Sequence, residues 1–219
     1  MTFTRLALAG MVTVAALGAT APQARAGVNL IVNGSFADPS VGGGWGEYTT
    51  ASTPGLGWTN LADSGVEIDN TNLLGMTDYV APGGQVYGQS MEVNANTFGN
   101  VTQTVTGLTV GQSYILSFGY GVRPSSGPQE LTVYFGGAEL AVFDSQSMGT
   151  WTTETFQITA TATSETLEFV STNTSLAGGL PSYGNEIAGV SLVGVPEPAS
   201  LALLGTSLLG LGLLRRLRA

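Results

Sequence analysis

The chain has 219 residues with six Lys+Arg and fifteen Asp+Glu, a net charge of −9, and contains neither cysteine nor histidine. All six basic residues are arginines, so lysine is absent too. These absences exclude Ser-His-Asp and Cys-His nucleophile pairs, imidazole or thiolate metal sites, disulfides and Schiff-base chemistry. Residues 27–195 hold fourteen acidic residues against Arg123 alone, a net charge of −13. This charge argues against nucleic acid as a partner.

The first 26 residues have the pattern of a secretory signal peptide. An arginine precedes an apolar run over residues 6–19, and Ala24 and Ala26 form an A-x-A cleavage pattern. The pattern predicts export, removal of residues 1–26 by signal peptidase, and a mature chain that begins near Gly27. The alternative interpretation is an uncleaved membrane anchor or a buried helix.

The segment 27–194 alternates between apolar and polar residues as β-strands do, and has no amphipathic helical stretch. The predicted strands are, in chain order, 30–33, 65–69, 89–94, 101–105, 114–120, 131–135, 139–143, 153–160, 165–170 and 187–193. Such short strands between turn residues predict an all-β fold, a single antiparallel, jelly-roll-like β-sandwich. The segments 37–58 and 69–88 are predicted as its richest loops, where binding residues usually lie.

Five segments of this predicted domain carry a resemblance to a known family. In the family's order they are the opening residues 29–36 (NLIVNGSF), 66–68 (VEI), Gly84-Gln85 before 90–94 (SMEVN), the strand at 111–118 (GQSYILSF) and the closing strand at 184–192 (GNEIAGVSL). They resemble the galactose-binding-domain-like sandwiches of bacterial and plant cell-wall-associated proteins. The resemblance implies carbohydrate binding.

The same resemblance implies a structural calcium ion, held by an acid just after the opening strand and by an Asp in the closing strand. Ala37 and Ala188 stand at those places here. Asp38 and Glu186 lie one and two residues away and are the weak calcium candidates. A shift of one residue in a strand turns a side chain to the opposite face, so no cofactor is the main expectation.

Loop aromatics near acids and amides indicate where a sugar could bind, because sugar rings stack on aromatic faces and sugar hydroxyls form hydrogen bonds with carboxylates and amides. The candidate glycan-binding residues are Trp45, Tyr48, Trp58, Asp69, Tyr79, Tyr87 and Arg123. Alternatively, Trp58 and Tyr87 pack the edge of the sandwich and the acids are solvated. Arg123 would pair either with a uronic acid or with one of the chain's own carboxylates.

A carboxylate-dependent hydrolase would need two opposed acids, one of them with a raised pKa. Glu67 could meet Asp69 or Glu92 across neighbouring strands. Because Glu67 and Asp69 alternate with apolar residues, they are interpreted more simply as the solvent face of a half-buried strand. The sequence identifies no catalytic pair, and the prediction is that the protein is not an enzyme.

The last 25 residues, 195–219, form a second targeting segment with three parts. An apolar stretch that predicts a single transmembrane helix over about 199–214 lies between a proline-rich motif and a basic tail. The motif is Pro196-Glu197-Pro198, and the basic residues are Arg215, Arg216 and Arg218. Arginines after the span predict a cytoplasmic C-terminus and place the β-sandwich outside.

These three parts resemble the PEP-CTERM sorting signal. The resemblance implies recognition by an exosortase in the inner membrane of a Gram-negative bacterium, where the precursor is anchored transiently. It also implies removal of the tail and delivery to the cell surface or an extracellular matrix. The alternative is an ordinary C-terminal anchor after a proline linker.

The sequence therefore predicts an exported protein whose non-catalytic sandwich binds or organises exopolysaccharide or another surface glycan. One alternative is a structural matrix or surface-layer protein that acts through protein-protein contacts. A carboxylate-dependent glycoside hydrolase is the other.

Overall fold

The computed structural model describes residues 27–63, 65–144, 147–172 and 179–196, and in these ranges all regular structure is β-strand. The strands are β1 (Trp45–Tyr48), β2 (Thr59–Asn60), β3 (Val66–Asn70), β4 (Tyr79–Val80), β5 (Val86–Tyr87), β6 (Gln89–Glu92), β7 (Asn100–Thr106), β8 (Ser113–Val122), β9 (Glu130–Phe135), β10 (Ala138–Asp144), β11 (Trp151–Thr159), β12 (Ser164–Thr172) and β13 (Asn185–Gly194). The predicted all-β class is confirmed.

Two antiparallel sheets form the sandwich. The six-stranded sheet has the order β1-β3-β6-β13-β8-β11, and the five-stranded sheet has the order β10-β9-β12-β7-β2. Strands β4 and β5 form a separate hairpin. The predicted antiparallel sandwich is therefore confirmed, with strands distant in sequence side by side in each sheet.

The core lies between the sheets and is built from residues at alternate strand positions. In β8, Tyr114, Leu116, Phe118 and Tyr120 are buried in the core, as the alternation predicted. Rings from both sheets meet there, since Phe118 and Phe169 form an edge-to-face pair with centroids 5.1 Å apart. Such a pair adds about 0.5–1.5 kcal/mol to the stabilisation from buried area alone.

The opening segment at 30–33 is not a strand, so that prediction is wrong. Asn33 and Phe36 have φ values of 48° and 54°, which turn the chain instead of extending it. The side chain of Gln103 replaces a strand partner, because its Oε1 accepts from Val32 N at 2.8 Å and its Nε2 donates to Val32 O at 2.9 Å. The segment is thereby held by a buried amide side chain.

Two predicted loops contain short strands. Strand β1 lies in the segment 37–58 and pairs with β3, while β4 and β5 lie in the segment 69–88. These strands have two to four residues, too few for an alternating pattern to stand out.

Several targeting predictions fall outside the described residues. These are the signal peptide with Ala24 and Ala26, the residues Glu197 and Pro198, the span 199–214, and the basic tail. Within the described part of the chain, no helix is long and apolar enough to cross a membrane.

Candidate functional site

Acidic side chains line up across the middle of the six-stranded sheet. Glu67 of β3 lies directly opposite Glu92 of β6, and Glu92 lies directly opposite Glu186 of β13. Opposite residues in a sheet share a face, so the three side chains form a row. Asp69, two residues after Glu67, stands on the same face opposite Ser90. We call Glu67, Asp69, Glu92 and Glu186 the acidic cluster.

The acidic cluster faces away from the core but is not exposed to solvent. Its members have 7%, 1%, 0% and 0% relative exposure, in chain order. Residues next to them in sequence, such as Ile68 and Ile187, point into the core, as the alternation predicted. The interpretation of Glu67 and Asp69 as a solvated face is therefore wrong, because a second layer covers this face.

That layer includes residues 71–88, which we call the cover segment. Glycines of the sheet let it approach closely: a Cβ on Gly121 would lie 2.5 Å from Met76 Cε, and one on Gly119 would lie 2.7 Å from the Tyr79 ring. Gly121 is directly opposite Glu186, so Met76 packs beside the acidic cluster. The glycines thus allow the cover that excludes water from this part of the face.

The tyrosines of the β4–β5 hairpin fasten the cover segment. Tyr79 and Tyr87 stack with centroids 5.8 Å apart, and the Tyr79 hydroxyl lies 3.0 Å from Thr153 Oγ1 of β11. Trp151 donates from its indole nitrogen to Thr77 O at 2.7 Å. These contacts join the cover segment to the edge strand of the sheet.

Arg123 supplies the positive charge at the acidic cluster. Its Nη1 donates to Glu92 Oε2 at 2.9 Å, and its guanidinium lies 4.1 Å from the centre of the Tyr183 ring. Among the two pairings expected for Arg123, the structure forms the one with a carboxylate of the chain itself. The pair is largely closed to solvent, with side-chain exposures of 19% and 0%.

Burial makes ionisation of the cluster unfavourable. It raises the pKa of Glu67 to about 8, with the Asp69 charge adding to the rise, and it raises the pKa of Asp69 to about 7, with Glu92 adding. The pKa of Glu92 is raised to about 7 by burial and by Glu67, although Arg123 opposes the rise. Full burial, then Glu92, raises the pKa of Glu186 well above its usual value.

Several oxygens of the cluster have no hydrogen-bond donor. Among the described residues, no partner reaches Asp69 Oδ2, Glu92 Oε1 or Glu186 Oε1, and all three atoms are buried. Glu67, Asp69 and Glu92 each place one carboxylate oxygen within 4.8 Å of the others. Sequence reasoning noted the possible meeting of these acids, but it treated Glu186 separately and did not bring the four together.

The predicted glycan-binding aromatics divide into exposed and buried residues. Trp45, on the edge strand β1 opposite Asp69, is 60% exposed, and Tyr87 is half-buried. Tyr48 packs in part against the core. Trp58 is fully buried, with its centroid 5.6 Å from that of Phe36, so its ring is part of the core and offers no face to a sugar.

The other predicted glycan contacts are closed to a large ligand. Tyr79, in the β4–β5 hairpin, is only 3% exposed, and Asp69 belongs to the buried acidic cluster. The calcium candidates lie in different surroundings: Asp38 is in an exposed loop beside Gly55, whereas Glu186 is buried and accepts from Ser90 Oγ at 2.7 Å.

An open cleft of about 460 Å³ lies beside the hairpin. Its lining combines apolar surface from Ala37, Val86 and Tyr87 with the polar residues Ser35, Ser40, Asn70, Gln85 and Gln89. Backbone and amide bonds hold its walls together, since Asn70 N donates to Gly44 O and Val41 N donates to Gln89 Oε1. Trp45 follows Gly44 directly. Sequence reasoning named Tyr87 as a candidate but not Gln85 and Gln89, which carry no distinguishing pattern.

The C-terminal end of the chain matches a known sorting signal. Residues 194–216 match the PEP-CTERM protein-sorting motif. The predicted PEP-CTERM signal is therefore confirmed. The motif indicates an exported, exosortase-processed cell-surface protein. No curated protein matches the chain.

Solved structures similar to the chain include carbohydrate-binding modules. The CBM22-1 xylan-binding domain of Paenibacillus barcinonensis Xyn10C is 15% identical, with 65% of this chain and 88% of that chain covered and a TM-score of 0.42. A CBM4 structure is 15% identical, with 75% and 99% covered and a TM-score of 0.39.

A third similar structure is the enzymatically active domain of tailspike protein 4 of bacteriophage CBA120. It is 15% identical with a TM-score of 0.45 and 76% of this chain covered, but this chain spans only 21% of that one. All three likenesses concern the fold, and no ligand or residue role passes from these proteins to this chain.

Proposed function

We propose that the protein is a cell-surface protein whose β-sandwich binds extracellular polysaccharide without catalysing its breakdown. The single observation that carries the binding part is the open cleft in which amide side chains surround the Tyr87 ring. Trp45, which is 60% exposed, follows Gly44, whose carbonyl accepts a hydrogen bond from Asn70 of the cleft. The sorting motif at residues 194–216 carries the surface location.

The chemistry of the cleft suits a neutral or weakly charged sugar. The Tyr87 ring offers an apolar face for sugar C–H groups, and the amides of Asn70, Gln85 and Gln89 can donate to and accept from hydroxyls. The domain carries a net charge of −13, so a strongly anionic polymer would be repelled unless cations screen it.

The burial of the acidic cluster supports binding over catalysis. The acids with raised pKa values are the ones that a hydrolase would use, but Asp69, Glu92 and Glu186 are 1%, 0% and 0% exposed beneath the cover segment. A polysaccharide chain cannot reach carboxylates closed off in this way.

The proposal includes a processing route. Signal peptidase would remove residues 1–26, an exosortase would act at the sorting motif, and the precursor would be anchored in the inner membrane only transiently. Exopolysaccharide of the host is the proposed glycan.

The test is binding of the purified exported protein to the host's exopolysaccharide and to a panel of glycans. We expect saturable binding that weakens about tenfold in Tyr87→Ala and in Trp45→Ala, because one lost stacking contact corresponds to about 1.4 kcal/mol. Tyr134→Ala, on the five-stranded sheet, is the matched control and should bind as the unchanged protein does.

Two results would contradict the proposal. One is the absence of saturable binding to any glycan, together with concentration-dependent self-association, which would favour the structural-matrix alternative. The other is release of shorter sugars from the polysaccharide by the purified protein.

A further inference from the structure

The acidic cluster concentrates more negative charge than its surroundings compensate. Four carboxylates lie on one face, and Arg123 is the single basic residue of residues 27–195. Even with the Arg123 to Glu92 ion pair intact, full ionisation would leave a net charge of −3 in a buried region. Uncompensated buried charge is strongly unfavourable, so either protons or a bound cation must neutralise it.

A second observation is the unsatisfied oxygen of Glu186. Its carboxylate is fully buried, and Ser90 donates to Oε2, while Oε1 has no donor among the described residues. Glu186 lies directly opposite Glu92, whose Oε1 is likewise buried and without a donor. Buried polar atoms are rarely left without a partner, so these oxygens need either a shared proton or a positive ligand.

We propose that the acidic cluster is a binding site for one calcium ion, with Glu67, Asp69 and Glu92 as the principal ligands and Glu186 Oε1 as a further oxygen. One oxygen from each of the three acids lies within 4.8 Å of the others. Two ligands on opposite sides of a calcium ion, each about 2.4 Å away, are separated by about the same distance. The three oxygens are therefore close enough together to share one ion.

Ligand number and charge both fit calcium. Calcium takes about six to eight oxygens, and three carboxylates supply up to six when each binds through both atoms. Glu92 would give only Oε1, since Oε2 is paired with Arg123, and Glu186 Oε1 restores the number. One divalent cation lowers the net charge of the four ionised carboxylates and Arg123 from −3 to −1.

The donor set selects against other metals. All of the candidate ligands are carboxylate oxygens, which suit hard cations, and the chain has no histidine or cysteine for softer ones. Magnesium keeps several water molecules and demands a strict octahedron, whereas the members of this cluster are 0–7% exposed. Calcium tolerates the irregular, water-poor arrangement.

This site is separate from the proposed glycan cleft and does not depend on its function. It also differs from the pair Asp38 and Glu186 suggested by family resemblance, because its principal ligands come from β3 and β6. The cation would link three neighbouring strands on the face that the cover segment closes.

The experiment is calcium titration of the full chain after treatment with chelator and its removal, followed by isothermal calorimetry and by thermal unfolding. We expect one calcium ion per chain, with a dissociation constant of about 0.1–1 mM as in extracellular modules, and a melting temperature that rises with calcium. No glycan is present, so the result is independent of the cleft.

Two isosteric variants test the assignment of ligands. Glu67→Gln and Asp69→Asn should each weaken calcium binding at least about tenfold, because each removes a charged ligand. Glu139→Gln is the matched control: it makes the same change at an exposed position of β10 and should alter the affinity less than about twofold.

Each alternative outcome overturns the proposal. Absence of calcium binding up to about 10 mM would mean that protons neutralise the cluster. Binding that survives in both cluster variants would place the ion on the acidic surface instead. Both variants remove a buried charge that its neighbours repel, so both should fold, and circular dichroism checks this. If one variant fails to fold, the other variant and the unchanged chain still test the proposed calcium site.

Discussion

Replacement of Arg123 by methionine isolates the electrostatic balance of the acidic cluster. Methionine keeps much of the side-chain length but removes the charge that Glu92 pairs with at 2.9 Å. Removing one partner of a buried ion pair costs about 3–5 kcal/mol, and the 19% exposure of Arg123 favours the lower end, about 3 kcal/mol. For a domain of this size that loss corresponds to a fall in melting temperature of about 6–12 °C.

The loss should depend on pH. In chelator, the pKa of Glu92 lies at about 7, raised by burial and the Glu67 charge, so near pH 5 the carboxyl is mostly protonated. Loss of Arg123 then removes little more than one hydrogen bond, about 1 kcal/mol. Near pH 8 Glu92 is ionised in the unchanged chain, so the variant must either leave this charge unpaired or bind a proton, and the larger loss, up to about 3 kcal/mol, appears.

Urea unfolding in chelator near pH 5 and near pH 8 measures both values. The double variant Arg123→Met/Glu92→Gln completes a double-mutant cycle and should recover most of the loss near pH 8, because no unpaired charge remains. An equal loss at the two pH values, or a loss below about 1 kcal/mol near pH 8, would refute the argument that Arg123 acts by charge.

Four further outcomes are expected. Gly119→Ala should cost about 1–3 kcal/mol in urea unfolding, since its Cβ would meet the Tyr79 ring, and a neutral effect would mean that the cover segment yields freely. Trp58→Ala should cost about 3–5 kcal/mol, with glycan binding by the folded fraction unchanged. The protein in chelator should lose stability as pH rises from about 5 to about 8, because burial in the folded chain favours the protonated form of carboxyls with raised pKa values, such as that of Glu67. A free energy of unfolding that increases over this range would contradict this expectation. Added salt should raise the melting temperature, since the domain carries −13, and an unchanged value across a salt titration would oppose this.

The sequence predicted the sandwich well where strands are long and half-buried. The alternation in β8 and β9 identified Leu116, Phe118 and Val133 as core residues, because a period of two specifies which side of a strand is apolar. It failed at 30–33, where an apolar run beside Asn33 resembles a strand but has a left-handed turn residue. The exchange of hydrogen bonds with Gln103 is a contact over 71 positions that no local pattern contains.

The candidate sites were predictable only in part, because local sequence does not show which loop residues are buried. Trp45 and Tyr87 were chosen as loop aromatics and are accessible, but Trp58 was chosen on the same grounds and lies in the core. Loop residues near a strand end can point either way, and composition does not decide between them. The distinction requires knowledge of which loop folds onto which sheet.

The alternation of residues tells which side of a strand faces away from the core, but not whether another layer covers that side. Glu67 and Asp69 have the sequence pattern of a solvated face and are nevertheless buried. The signal for the cover lies elsewhere in the chain, at Gly119 and Gly121, where a ten-residue strand gives up its outward side chains at two alternate positions. Glycine weakens a strand unless close approach of another segment compensates. Alternate glycines in one strand and acids in other strands of the same sheet therefore indicate together a covered, charged layer, which neither pattern indicates alone.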